Sequence, residues 1–263
     1  MNLDLTGKTA LVCGSSQGIG KATAEVLADL GANVVLFARN ADRLQQALTD
    51  LNTNGNQDHS ILVADFDKPE QVRNVADKFI NKSEHPIDIL VNNSGGPPSG
   101  PILDASPSDF LLAIHRHLIC NQLLAQLVVP GMKQKSWGRI VNIISTSVKA
   151  PLANLGVSNT TRGAVASWSK TLAGEIGAFN ITVNNVLPGA TNTERLHSII
   201  KNKAEKSGAT IDEVTKQMQS IIPSKRFGTS EEIANVVAFL CSPAADYVNG
   251  TSIPVDGGRT KSF

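Results

Sequence analysis

Short apolar runs alternate with longer segments of helical period from one end of the chain to the other. The short runs lack the polar alternation of strands that have one face in water, which indicates strands buried on both faces. Buried strands joined by amphipathic helices predict a parallel sheet with helices on both sides. The expected strands are Thr9–Cys13, Val34–Ala38, Ser60–Ala64, Ile87–Val91, Arg139–Ile144, Ile181–Leu187 and Thr251–Val255.

Several of the intervening segments carry clear helix-start signals. Ser106-Pro-Ser-Asp supplies a cap, a first-turn proline and an early acid, and we expect the helix behind it to cover Pro107–Lys133. Thr229-Ser-Glu-Glu is a capping box, and a further helix is expected over Val157–Ile176. No linker, repeat or low-complexity stretch interrupts the alternation. We therefore predict one doubly wound, Rossmann-type α/β domain over residues 1–263.

Composition argues against several other classes of protein. The net charge of +1 and the lack of charge runs argue against a nucleic-acid partner or an anionic membrane surface. Three separated cysteines without a CxxC pair predict reduced, buried thiols rather than a disulfide framework or a metal site. No apolar run approaches the roughly 20 residues that span a bilayer, and the N-terminus does not read as a signal peptide. A cytoplasmic protein is the expectation.

A glycine-rich turn connects the first strand to the first helix. The segment Cys13-Gly-Ser-Ser-Gln-Gly-Ile-Gly20 lets the backbone approach a pyrophosphate, and the helix behind it offers free N–H groups and its positive dipole end. A glycine pattern alone is weak, because such turns also serve tight connections. Its place between a strand and a helix favours a dinucleotide site. The candidate residues here are Gly14, Ser15, Ser16, Gln17, Gly18, Ile19 and Gly20.

The spacing Gly-x-x-x-Gly-x-Gly resembles that of the short-chain dehydrogenase/reductase family, and motifs along the whole chain extend the resemblance. They are Asn92-Asn-Ser-Gly95, Asn184-Asn-Val-Leu-Pro-Gly189, Arg226-Phe-Gly228 with Glu231-Glu-Ile-Ala234, and Val255-Asp-Gly-Gly258. The pattern is most similar to that of bacterial 3-oxoacyl-acyl-carrier-protein reductases. The resemblance implies a nicotinamide cofactor and a carbonyl or acyl-thioester substrate. It also implies cofactor contacts at Asp65, Phe66, Asn92, Pro188, Gly189, Thr191 and Thr193.

The end of the second strand predicts which cofactor is preferred. Sites for NAD(H) usually hold an acidic side chain there, which accepts from the ribose 2′-hydroxyl. This chain has Ala38-Arg39-Asn40 instead, and a guanidinium at that place could bind a 2′-phosphate. We therefore expect NADP(H) rather than NAD(H). The alternative is that Arg39 stacks on adenine or faces solvent.

Catalysis in the family uses a serine, a tyrosine, a lysine four residues later and an asparagine in the preceding long helix. By resemblance, Ser145 stands at the serine position, Ser158 at the tyrosine position, Arg162 at the lysine position and His117 at the asparagine position. Arg162 stays protonated but can bind ribose hydroxyls or stabilise an oxyanion. His117 titrates near neutrality and is a candidate proton donor. Purely structural roles for His117 and Ser145 remain open.

Residues 192–223 break the alternation with a polar, charged stretch of weak helical period. Ligand sites of open α/β sheets gather at such places, so we interpret the stretch as a mobile lid over the substrate, against a functionless surface excursion. The sequence leaves three functions open. They are an NADP(H)-dependent reductase, a cofactor-binding sensor without turnover, and a lyase or epimerase on the same scaffold. The long helices at Pro107–Lys133 and Val157–Ile176 correspond to those through which family members assemble, which implies a homodimer or homotetramer.

Overall fold

All seven strands pair in parallel in a single sheet. The computed structural model describes residues 1–82 and 86–262, and the sheet order is β3-β2-β1-β4-β5-β6-β7. This is the predicted doubly wound arrangement. From β1 the chain adds β2 and β3 on one side, then crosses over and adds β4 to β7 on the other side. The strands are β1 Thr9–Cys13, β2 Asn33–Ala38, β3 Ser60–Val63, β4 Ile89–Asn92, β5 Gly138–Ile143, β6 Ile181–Pro188 and β7 Ser252–Val255.

Helices cover both faces of the sheet, because neighbouring residues of each strand point to opposite sides. Val12 packs with the first group of helices, α1, α2 and α9, whereas Leu11 and Cys13 pack with the second group, α3, α5 and α6. The helices are α1 Gly18–Asp29, α2 Ala41–Thr49, α3 Pro69–Lys82, α4 Pro107–Ile114, α5 Cys120–Lys135, α6 Gly156–Ile176, α7 Glu194–Ser207, α8 Ile211–Ser220 and α9 Ser230–Cys241.

The long helix expected at Pro107–Lys133 is interrupted. A π-helical turn at His115–Ile119 separates α4 from α5. Such a turn adds a residue to the helical path and is frequent at functional sites. The apolar spacing that predicts a helix does not reveal the insertion, because both neighbours keep their helical period. The predicted cap at Ser106 and the predicted capping box at Thr229 are confirmed, and Ser106 also forms a full capping box with Asp109.

The polar stretch at residues 192–223 folds as the two helices α7 and α8. They share a small core of Leu196, Ile200, Ala204 and Val214. Thr193 and Thr210 cap their N-termini, and Gly208, with φ at +71°, ends α7. The weak helical period of the sequence therefore reflects helices whose apolar faces are narrow, on an excursion that packs over the carboxyl end of the sheet.

A row of polar side chains crosses the middle of the sheet. Asn92 donates to Asn142 over 2.8 Å, Asn142 donates to Asn185 over 3.0 Å, and Asn185 donates to Ser252 over 3.1 Å. These residues are register partners on β4, β5, β6 and β7. The row ties four strands together, and on β4 and β5 it lies at the carboxyl ends, next to the loops that follow.

Within residues 1–82 and 86–262, no helix has the length and apolar character needed to cross a membrane. The predicted domain range of 1–263 also includes residues 83–85 and 263, which lie outside the described residues.

Candidate active site

The glycine-rich turn is packed tightly against the loop that follows β4. Gly14 has a φ of +60°, and a Cβ built on it would lie 2.8 Å from the backbone oxygen of Asn93. A Cβ on Gly20 would lie 2.2 Å from the carbonyl oxygen of Gly14. Side chains at either position would push the turn away from its neighbours. The two glycines therefore set how close α1 comes to the sheet.

The N-terminus of α1 is left without a side-chain cap. Gln17 is the capping residue and makes no such hydrogen bond. The caps of α2, α4, α7, α8 and α9 all accept one from their own first turn. The first N–H groups of α1 thus face the cleft with the positive end of the helix dipole, and this fits a pyrophosphate.

Three cavities with shared walls run along the carboxyl edge of the sheet. The central one, of about 660 Å³, lies against the glycine-rich turn and the start of α7. A smaller one of about 300 Å³ reaches towards the end of β2, and one of about 460 Å³ reaches towards α6 and the excursion. Asn93, Ser94 and Gly95 line all three. Together the cavities form an elongated cleft whose shape fits a dinucleotide and a substrate laid end to end.

The cavity at the end of β2 brings together the residues expected at the adenosine end. Arg39, Asp65 and Phe66 line it beside Ser16 and Gln17. Arg39 is exposed, so its guanidinium is free to reach a ligand phosphate from the rim. Arg43, which the sequence analysis did not single out, lies near this end, contacts Gln17 and forms an ion pair with Glu194 over 3.6 Å. Its position one turn inside α2 is a signal that could have identified it.

Three of the expected cofactor residues face away from the cleft. The Ser15 hydroxyl is fully buried and accepts from the Phe37 N–H over 2.8 Å, which ties the turn to β2. Gly20 packs against Gly14. Asn92 is directed into the sheet towards Asn142, and its neighbour Asn93, which sequence reasoning missed, lines the cleft instead and donates to the Gly14 carbonyl over 3.3 Å. Side chains alternate along a strand, so only one residue of an Asn-Asn pair can face the cleft.

The remaining expected contacts line the cleft. Ser16, Gln17, Gly18 and Ile19 surround its centre, and Pro188, Gly189, Thr191 and Thr193 line the part beyond the end of β6. Thr191 and Thr193 are held in place by hydroxyl bonds to the backbone oxygens of Gly189 and Thr191, each of 3.2 Å.

Ser145, Ser158 and Arg162 lie together in the cavity of about 460 Å³. Ser145 follows β5, and its Oγ accepts from the Ser147 N–H over 3.1 Å, which leaves the hydroxyl proton for a substrate oxygen. Ser158 and Arg162 project from neighbouring turns of α6, as expected for residues four apart. Arg162 is 8% exposed and donates to the Ile143 carbonyl over 3.1 Å.

His117 reaches this site only through Ser94. It sits in the π-helical turn and is 2% exposed, and its Nδ1 lies 2.6 Å from the Ser94 Oγ. Its Nε2 has no hydrogen-bond partner. His117 lines none of the three cavities, whereas Ser94 lines all of them. Ser94 is therefore the hydroxyl that a ligand meets, and the sequence signal for it is the serine in Asn92-Asn-Ser-Gly95.

The pKa of His117 differs from the expectation of titration near neutrality. Burial lowers the pKa well below 6.5, and the charges of Arg162, Arg116 and Arg195 lower it further. The imidazole is consequently neutral at neutral pH. It can hold the Ser94 hydroxyl in one orientation, but it does not carry an extra proton to give away.

The excursion is joined to the β4 loop by Arg195 at the start of α7. Its guanidinium donates to the Gly96 carbonyl over 3.1 Å and to the Pro97 carbonyl over 2.8 Å. Leu196, Ile199 and Met218 of the excursion line the same cavity as Ser145. The excursion thus forms one wall of this cavity, and its role as a mobile lid stays a prediction.

Comparison with known proteins agrees with this geometry. A family model described as Enoyl-(Acyl carrier protein) reductase matches residues 14–260. The 3-oxoacyl-[acyl-carrier-protein] reductase FabG of Aquifex aeolicus is 33% identical, over 98% of this chain and 99% of its own length. The chain belongs to the short-chain dehydrogenase/reductase family.

Two further relatives have names that include the cofactor. The NADPH-dependent reductase BacG of Bacillus subtilis is 31% identical, over 98% of this chain and all of its own length. The structure of L-sorbose reductase from Gluconobacter frateurii, complexed with NADPH and L-sorbose, superposes with a TM-score of 0.93 at 34% identity and covers 100% of both chains. Both similarities run through the whole fold, the excursion included.

The cysteines take no part in the site chemistry. Cys13, Cys120 and Cys241 are free and buried. Burial raises the pKa of Cys120 and Cys241 to about 12 and the pKa of Cys13 higher still. Among the described residues, no group of three or more His, Cys, Asp or Glu side chains could hold a metal ion.

The buried neutral His117 predicts a pH-dependent loss of stability. The unfolded histidine takes up a proton near pH 6.5 and the folded one does so only at lower pH, so the free energy of unfolding falls as the pH drops below 6.5. The slope from this one group approaches about 1.4 kcal/mol per pH unit. His117→Asn should remove that slope in urea titrations between pH 7 and pH 5. The exposed-site control His115→Asn should follow the wild type, and equal slopes in all three proteins would contradict a buried neutral imidazole.

Proposed function

We propose that this protein is an NADP(H)-dependent reductase of a small carbonyl substrate. The observation that carries the proposal is the cleft itself. It runs from Arg39, past an uncapped helix N-terminus, to a pocket that holds Ser145, Ser158 and Arg162. The NADPH named for BacG and for L-sorbose reductase supports the same cofactor. The carbonyl-reducing direction follows from the names of these relatives.

The residues present fit each part of NADPH. Arg39 would bind the 2′-phosphate, Asp65 and Phe66 would border the adenine, and the first turn of α1 would hold the pyrophosphate. Thr191 and Thr193 would border the nicotinamide end. When bound, the cofactor supplies a hydride to the substrate carbon. Everything else required of the protein is orientation, exclusion of water and stabilisation of the charge left on oxygen.

The side chains in the pocket can stabilise that charge without a tyrosine. The free proton of the Ser145 hydroxyl points from a strand end where a carbonyl oxygen can accept it. Ser158 lies in the same cavity, and the guanidinium of Arg162 adds a positive charge. Burial lowers the pKa of Arg162 to about 10, so the side chain stays cationic at neutral pH. The alkoxide is thus stabilised by hydroxyls and a fixed charge, and water supplies the proton afterwards.

One prediction of the proposed function concerns the cofactor. Arg39→Ala should weaken NADPH binding roughly 10- to 100-fold, because a charged hydrogen bond to phosphate contributes about 1.5–3 kcal/mol. NADH, which has no 2′-phosphate, should bind both proteins equally. Calorimetric titration with both cofactors makes the comparison, and Arg73→Ala, an exposed charge on α3, is the matched control. Equal losses for NADPH and NADH would contradict the phosphate contact.

Another prediction of the proposed function concerns turnover of carbonyl substrates. With a panel of 3-oxoacyl thioesters, quinones and oxo compounds, Ser145→Ala should lower kcat/KM about 100-fold and leave the NADPH dissociation constant unchanged, because one oxyanion donor is lost. Ser147→Ala removes a buried neighbouring hydroxyl that does not line the cavity, and serves as control.

One result would replace this proposal with that of a cofactor-binding protein without turnover. The wild type would bind NADPH and reduce nothing, while the Ser158→Tyr, Arg162→Lys double variant would gain activity. The fold would then be a reductase scaffold whose chemistry has been lost.

We further propose that the protein assembles through α4 and the turn before it. Large apolar side chains are exposed to solvent there. The exposed fraction is 57% for Leu111, 41% for Leu112 and 95% for Leu103. Large exposed apolar side chains that lie close together in the chain are typical of interfaces. The wild type should sediment as a dimer or tetramer, and Leu111→Asp with Leu112→Asp should yield a monomer. Ile211→Asp, on the excursion, should not change the assembly, and a monomeric wild type would refute the interface.

A further inference from the structure

The substrate end of the cleft carries an excess of positive charge. Arg162 from α6, Arg195 from α7 and Arg259 from the segment after β7 all line the cavity of about 460 Å³. Among the described residues that line it, there is neither an aspartate nor a glutamate. Three arginines from three separate elements thus line one cavity whose described lining contains no carboxylate.

Of the three arginines, Arg162 gives the strongest indication that an anion binds here. It is 8% exposed, its only hydrogen bond that the structure records is to the Ile143 carbonyl, and its Nε has no partner. Burial lowers the pKa of Arg162, and the positive charges of Arg195 and Arg116 lower it further. A buried cation without an anion is costly, and proteins retain one where a ligand provides the opposite charge.

Arg116, which lines the cavity at the adenosine end, shows an arginine of the cleft whose charge the protein itself offsets. Its guanidinium donates to the Asp67 carboxylate from Nε over 2.6 Å and to the Gly95 carbonyl over 3.0 Å. Arg195, by comparison, donates to two backbone carbonyls, which leave its charge uncompensated. The chain therefore has a carboxylate for Arg116 and none for the arginines that face the substrate.

The cofactor does not neutralise this end of the cleft. Its phosphates belong at Arg39 and at the N-terminus of α1, as argued above. The nicotinamide ring is uncharged when reduced and positive when oxidised, so it cannot offset arginines. Arg195 also lines the central cavity and can contact the pyrophosphate. Arg162 and Arg259 line only the substrate-side cavity among those described, so their counter-charge has to arrive with the substrate.

The rest of the pocket is apolar. Leu152, Leu155, Ile199 and Met218 line the same cavity as Arg259. We propose that the pocket selects oxo acids with a short apolar chain, whose carboxylate is bound by Arg259 and Arg195 while the carbonyl lies at Ser145 and Arg162. Bidentate pairing of a guanidinium with a carboxylate supplies both affinity and orientation. The inference rests on the proposed reductase function for its reaction, but not for its binding.

The binding test avoids turnover altogether. Hexanoate and its neutral amide, hexanamide, are titrated by calorimetry into the full-length protein, with and without NADPH. Hexanoate should bind roughly 10- to 100-fold more tightly than hexanamide, because a hydrogen bond between charged groups adds that much affinity. Arg259→Gln should reduce that ratio to near 1, while Lys261→Gln, an exposed charge two residues away, should leave it unchanged. Equal binding of hexanoate and hexanamide by the wild type overturns the inference, whatever NADPH does.

The kinetic test separates this inference from the proposed function. With NADPH, 2-oxohexanoate should be reduced with a kcat/KM at least about 10-fold above that of its methyl ester, and the advantage should disappear in Arg259→Gln and in Arg195→Gln. An ester reduced as well as the acid leaves the reductase standing and overturns carboxylate selection. If hexanoate binds selectively but neither oxo compound is reduced, carboxylate recognition stands and the reductase proposal fails.

Discussion

Parallel pairing of the seven strands is the constraint on which the site depends. Because every strand points the same way, all carboxyl ends meet at one edge, and the loops that leave them have to share that space. The cleft is the consequence. Its residues come from the loops after β1, β2, β3, β4, β5 and β6, which are far apart along the chain. The reversal of winding between β1 and β4 leaves the opening in which the glycine-rich turn lies.

Two packing details fix the geometry of that edge. The row from Asn92 to Ser252 links register partners on β4, β5, β6 and β7. The contact of Gly14 and Gly20 with each other and with Asn93 determines how closely α1 approaches β4. The glycine contact leaves no room for a side chain at Gly14 or Gly20. Together they place the free N–H groups of α1 beside the loop that carries Ser94.

Much of the fold was predictable because it rests on local patterns. The seven strands match their apolar runs within about two residues, since the central runs are buried on both faces and all are bounded by turn residues. The helix starts at Ser106 and Thr229 were predictable for the same reason, because a cap depends on a few neighbouring residues. The π-helical turn at His115–Ile119 was not predictable, because it inserts one residue without breaking the apolar spacing. It decides which way His117 faces.

Side-chain direction was the part of the site that sequence reasoning handled worst. Motif position placed Asn92 and Ser15 at the cofactor, but strand alternation turns the first into the sheet, and a hydrogen bond to Phe37 N–H holds the second in the core. Ser94 and Asn93 lie one residue along and face the cleft. Burial is also a property of the folded chain, so the lowered pKa of His117 could not be predicted from residue type alone.

The proposed function gives a reason for the residues that stand where the family resemblance expects a tyrosine and a lysine. A tyrosine and lysine pair can supply a proton as well as a charge, whereas Ser158 and Arg162 supply a hydroxyl and a charge that does not leave. A fixed cation beside the carbonyl stabilises an oxyanion, and the same cation attracts a substrate that is already anionic. Burial, with the charges of the arginines around it, lowers the pKa of His117 and keeps it neutral, which avoids a further positive charge in the same space. Retaining several uncompensated arginines in a partly buried pocket lowers the stability of the ligand-free protein, so their position is better explained by what they bind than by what they hold together.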